Sequence, residues 1–199
     1  FPSVCTPRFR QRARLHEQPI PNERDVQMKT QQSEIGIYVA CLASYNNGIL
    51  HGRWIDATQS VDEIHAEITS MLKSSTMRDA EEWAIHDHEG FEGIQVSEFE
   101  SISRVVELAT FVSFHGALGV KLYEHYGSLG DAEIAMNDHY AGEFVSLAHF
   151  AQDITEQSVD TPSQLEYYID WEAMGRDMAI NDVLAIEIGM NKVHVFWAH

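Results

Sequence analysis

The hydrophobic pattern becomes regular at Ile35. Ile35, Ile37, Val39 and Cys41 alternate with Gly36, Tyr38 and Ala40, the two-residue period of a strand. Asn47-Gly48 follows, a pair that tolerates positive φ and predicts a hairpin turn, with Leu50 to Ala57 returning as the second strand. The period then changes. Ser60 and Glu63 have the spacing of a capping box, and Ile64, Ile68 and Met71 or Leu72 give one apolar face to a helix ending near Ser74. Trp83 and Ile85 alternate with Glu82, Ala84 and His86, predicting another strand. A strand pair, a helix and a strand make an α+β domain over 35–98.

Helical spacing dominates the next stretch. Ile102, Val105, Val106, Ala109 and Val112 form one apolar stripe, and Val120 to Tyr126 a second helix. A third short helix begins at Asp131, and Gly116, Gly119, Gly127 and Gly130 punctuate the segment. This predicts a central helical domain over 99–139. In the third domain, 140–199, Phe144, Leu147, Ala148 and Ile154 give a helical stripe. Thr161 before Pro162 is the order of a cap and a first helical residue, and Leu165, Tyr168, Ile169 and Trp171 or Glu172 extend that helix. LAIEI, a GMNK turn and VHVFW close the chain as an apolar hairpin. The fold class is α+β: three small domains, with mixed sheet and helix at both ends and helices between them.

Composition separates the first residues from the rest. Four of the five prolines and five arginines against three acids fall in residues 1–28. Residues 1–34 therefore read as a flexible extension, or the part before Met28 as translated sequence upstream of a natural start at Met28. Beyond Met28 there are 28 acids against eight bases, within a total net charge of -18. A hydrophobic content of 44% argues for a folded chain, so disorder does not explain the charge.

Charge of this size repels itself in the compact state, which gives weight to an electropositive partner beside simple solubility or a halophilic origin. Direct binding to nucleic acid or to an anionic membrane is disfavoured, because phosphate affinity comes from Lys and Arg. The eight cations after Met28, Lys29, Arg53, Lys73, Arg78, Arg104, Lys121, Arg176 and Lys192, never cluster. Cys41 lies in an apolar run and reads as a buried free thiol, which fits a reducing cytoplasm. No run approaches the roughly 18 apolar residues of a membrane span, and no apolar signal core opens the chain.

The stretch EEWAIHDHEGFEG, residues 81–93, is the densest candidate for chemistry. His86 and His88, two apart on a strand, share a face and could hold zinc with a third ligand from elsewhere. No His-Glu-x-x-His, paired Cys-x-x-Cys or calcium loop accompanies them. There is no Gly-x-Ser-x-Gly elbow, and GSLGDAE lacks the Lys and Ser/Thr of a phosphate loop. No catalytic, metal or cofactor set is assigned, and a metal-dependent enzyme stays only as an alternative.

The acids support a different use. Residues two apart on a strand are separated by about 6.8 Å, and residues four apart on a helix by about 6 Å. Duplex DNA advances about 3.4 Å per phosphate on each strand, so such rows can approximate a phosphate ladder. Asp87 and Glu89 have the strand spacing, as do Asp79 and Glu81 if the strand begins that early; Glu82 and Glu92 lie in the same block. Glu100 and Glu107 share a helical face, and Asp131, Glu133, Asp138 and Glu143 extend the row. Trp83 and Ile85 would point inward beneath these acids. A solvated surface gives the same pattern, so spacing permits imitation of DNA without singling it out.

Five blocks in order narrow the choice. IYVACLASYNNGILHGRWIDA resembles the opening of the ArdA antirestriction family, and EEWAIHDHEGFEG resembles its next block. LYEHYGSLGDAEIAM resembles the segment known as the antirestriction motif, while YYIDWEAMGRD and VHVFWAH are also similar to the family. The resemblance implies a non-enzymatic protein of mobile elements that imitates bent B-form DNA. It implies an elongated three-domain chain, a homodimer, and occupation of the DNA groove of Type I restriction-modification enzymes through their specificity and methyltransferase subunits. Within the motif, Tyr126, Gly127 and Leu129 are expected to hold local structure or the dimer. An acidic module for another basic DNA-binding protein is the main alternative.

Overall fold

Residues 35–198 are described by the computed structural model, so the predicted extension over 1–34 lies outside the described residues. The predicted strands β1 (Gly36–Cys41), β2 (Gly52–Asp56) and β3 (Trp83–Glu89) form one antiparallel sheet in the order β2-β1-β3. Ile37, Val39 and Cys41 line its core face, and Cys41 is a buried free thiol. Helix α2 (Val61–Lys73) supplies Ile64, Ile68 and Met71 to the same core. Its capping box is formed in both directions between Ser60 and Glu63.

The first connection differs from the predicted hairpin. Leu42–Asn46 forms a one-turn helix, α1, and Asn47-Gly48 ends it. Asn47 keeps φ at -96° while Gly48 takes +74°, so the pair is not a two-residue turn with both φ values positive. The Asn47 side-chain amide donates to the Ala43 carbonyl at 2.8 Å, which favours closing the helix over turning at once into a strand.

Helix α3 (Ile102–Tyr126) is two helical segments joined at Gly116, whose φ of 54° and ψ of -150° break the helix. The two predicted helices are therefore present and meet at a kink. By length and composition α3 is apolar enough to cross a membrane, which corrects the expectation that no stretch approaches a span. Its apolar residues have another use: Val105, Leu108 and Val112 pack with the first sheet, and Phe111 and Leu122 pack with Ile186 and Phe196.

Gly127 ends α3 in the left-handed conformation, and α4 (Leu129–Ile134) starts two residues before the predicted Asp131 because Ser128 caps it. A π-helical turn, Ala135–His139, leads into β4 (Tyr140–Phe144). That strand was not predicted, and Phe144 lies in it, outside the helix α5 (Leu147–Ser158). The helix expected after Pro162 also breaks: α6 (Ser163–Glu166) is one turn, and Asp170 caps a separate helix, α7 (Trp171–Asn181). The closing hairpin is β5 (Val183–Gly189) and β6 (Lys192–Trp197), in a second antiparallel sheet ordered β4-β6-β5. The fold is α+β, with a three-stranded sheet toward each end of the described chain and helices between them.

Candidate functional site

Strand register decides where the densest acids point. Directly opposed residues on neighbouring strands share a face. Tyr38 of β1 is opposed by Trp54 on one side and Asp87 on the other, and Gly36 by Asp56 and Glu89. Ile37 is opposed by Ile55 and His88, so the alternate row is the core row. The outer face thus carries Asp56, Asp87 and Glu89 around the Tyr38–Trp54 ring pair, whose centroids lie 5.6 Å apart.

A bulge in β3 makes this arrangement. Pairing passes from Val39 with Ile85 to Tyr38 with Asp87, leaving His86 without an opposed residue. The extra residue breaks simple alternation, so the expectation that His86 and His88 share a face on a regular strand is corrected. The His86 ring meets Tyr45 edge-on at 4.6 Å between centroids, and His88 meets Phe91 at 5.8 Å. Among the described residues no group of three His, Cys, Asp or Glu side chains is placed to hold a metal ion. Ile85 is buried as expected, and Trp83 is half-buried against the same core. The main chain N–H of His88 donates to the Asp87 carboxylate at 2.8 Å and fixes its direction.

The remaining predicted acids fall in several settings. Asp79, Glu81 and Glu82 are exposed but precede β3, which starts at Trp83, so Asp79 and Glu81 lack strand spacing. Glu100 precedes α3 and accepts from the Ser101 N–H at 3.2 Å; it does not share a helical face with Glu107. Asp131 and Glu133 are exposed on α4, Asp138 on the π-helical turn, and Glu92 in the loop after β3. Glu107 pairs with Arg104 at 3.2 Å, and Glu143 with Lys192 at 3.5 Å.

Glu143 also faces His194 Nε2 at 3.6 Å, while His194 Nδ1 lies 2.8 Å from the Tyr140 hydroxyl. Burial, then the Glu143 carboxylate, hold that hydroxyl's pKa above the ordinary tyrosine value. Ser60's hydroxyl, then its N–H, hold Glu63 below the usual carboxylate value. No described Asp or Glu is buried.

The sequence pattern missed Asp56, which joins the outer row only through the β2-β1-β3 strand order. Its signal was present: Ile55 is the core residue of RWIDA, which sends its neighbour outward. The exposed acids of the last helices and strands, including Glu172, Asp177 and Glu187, were also unassigned.

The motif residues have architectural places. Tyr126 is the last residue of α3, and Gly127 at φ 70° donates its N–H to the Tyr123 carbonyl. Ser128 accepts from the Asp131 N–H, while Leu129 packs against the residues of both neighbouring cores. This is a left-handed helix stop followed at once by a capped helix. No curated protein matches the chain. The family model described as antirestriction protein (ArdA) matches residues 37–192, most of the 199-residue chain. The chain belongs to the ArdA antirestriction protein family.

Proposed function

We propose that this antirestriction protein imitates the phosphate charge of B-form DNA and occupies the DNA-binding groove of a Type I restriction-modification enzyme. The observation that carries this reading is the exposure of the acids: none of the described carboxylate residues is buried, in a chain of net charge -18. Carboxylates in solvent keep their charge available to Lys and Arg groups that otherwise hold phosphates. They steer association and exclude the duplex, and no bond is made or broken.

The partner surface is the groove formed by specificity and methyltransferase subunits in the cytoplasm. The proposed display comprises Asp79, Glu81, Glu82, Asp87, Glu89, Glu92, Glu100, Glu107, Asp131, Glu133, Asp138 and Glu143, with Asp56 added by the sheet register. Glu107 and Glu143 contribute less net charge because Arg104 and Lys192 neutralise them in part. The three-domain division at 35–98, 99–139 and 140–199 is retained within this proposal. A homodimer would present two such surfaces, with exposed apolar residues such as Tyr167 and Met190, 93% and 94% exposed, available for self-association.

Competition is the property to test. Type I methyltransferase activity measured over a range of duplex concentrations is expected to recover fully when duplex is in excess. A maximum rate that stays depressed at saturating duplex would overturn groove occupation.

A further inference from the structure

Resting on that reading, we propose that the outer face of the first sheet docks an arginine of the target, whose guanidinium plane lies on the Tyr38–Trp54 ring pair. Helices α2 and α3 pack on the opposite face, so these rings stand where a one-sided antiparallel sheet usually turns polar residues to water. Trp54, on the edge strand β2, is 46% exposed, and Tyr38 is half-buried beside it. Two glycines shape the surface around them. A Cβ at Gly52 would fall 2.8 Å from the Tyr38 ring and hydroxyl, so glycine lets that ring lie across β2. A Cβ at Gly36 would lie 3.6 Å from the Trp54 ring and 4.0 Å from the Glu89 side chain; without it, main chain floors a gap between the two.

Charge selects the occupant. Asp56, Asp87 and Glu89 border the rings by register, and all three are exposed. None forms an ion pair among the described residues. Hydrogen bonds already hold two of them: the Thr58 N–H and hydroxyl donate to Asp56 at 2.8 and 2.7 Å, and the His88 N–H donates to Asp87 at 2.8 Å. Arg53, next to Trp54 in the chain, is opposed to Val39 in the core row and pairs with Glu67 at 3.3 Å, so it leaves this face uncompensated. Exposed rings rimmed by fixed carboxylates suit a guanidinium, which stacks on aromatic faces and donates from its edge to carboxylates. A lysine ammonium is more strongly hydrated and has no plane to stack. The rings, rather than the acids alone, distinguish this face.

The test separates rings from charge. Hexa-arginine and hexalysine carry equal charge; in calorimetric titrations hexa-arginine is expected to bind the wild type about fivefold more tightly, and Trp54→Leu to remove that preference. Trp54→Phe, which keeps a ring, should retain most of it. In displacement of labelled duplex from a Type I methyltransferase core, Trp54→Leu should weaken inhibition about tenfold at low and higher salt alike. The loss from Asp87→Asn, about twofold, should fade as salt screens it. Trp54→Thr suits a strand and stands in if Trp54→Leu does not fold; if neither folds, the ring is structural and the inference fails. It also fails if Trp54→Leu keeps the arginine preference, or if its one effect is a lower mass of the free protein in light scattering, which would make this face a contact between copies of the chain. If the wild type displaces duplex and folded Trp54→Leu does so equally well, the inference fails and groove occupation stands. If the folded wild type displaces no duplex, groove occupation fails and the inference falls with it.

Discussion

At the scale of single residues, burial and exposure separate two kinds of role. Phe91 is buried beneath an exposed turn and packs against His88. Phe91→Ala should destabilise the fold by about 3–5 kcal/mol, because it leaves a cavity the loop cannot fill without releasing the turn. Denaturant unfolding checks this, and a loss below about 1 kcal/mol would contradict the anchoring role. Such buried positions were legible in the sequence: Ile37, Val39, Ile64, Ile68 and Ile85 all appear in the core that alternation and helical spacing assign them to. The directions of the histidines were not. A bulge at His86 adds one residue to a strand, and hydrophobic alternation carries no mark of it.

At the scale of elements, the best-read parts are those where side chain and backbone agree. Ser60 and Glu63 satisfy each other across the first turn of α2, so Ser60→Ala should cost about 1 kcal/mol. The pH dependence follows from Glu63, whose pKa is lowered in the fold by the Ser60 hydroxyl and N–H. Its contribution is complete above the ordinary glutamate range and is lost as pH falls through the lowered folded value. Thermal melts of wild type and Ser60→Ala are therefore expected to converge on acidification below that range. A gap that stays constant would contradict the cap's electrostatic part.

Other elements were less legible because one local signal serves two structures. Asn47-Gly48 suits a hairpin and also ends a helix, since both use a glycine at positive φ. Phe144 stands three residues before Leu147 and mimics helical spacing, yet it pairs with Val193 as a strand residue. Asp170 accepts from the Ala173 N–H at 2.9 Å and starts a new helix, interrupting the one expected to run through Tyr168.

At the scale of the whole molecule, charge governs behaviour. The acids were visible as a total, while their grouping needed the fold: Asp56 and Glu89 flank Gly36 on the same sheet face from strands far apart in sequence. A net charge of -18, with few ion pairs among the described residues, should make the fold self-repelling. Tm is expected to rise as salt increases from about 0.01 M to 0.5 M, where screening shortens the range of that repulsion. A Tm that falls over the same range would mean that local pairs outweigh the overall repulsion. Inhibition should respond in the opposite direction. The most direct measurement is a titration of the protein into a Type I methyltransferase core holding a labelled specific duplex, at two salt concentrations. The account predicts that the duplex is displaced and that displacement weakens at the higher salt; a folded protein that leaves the duplex bound at both would contradict it.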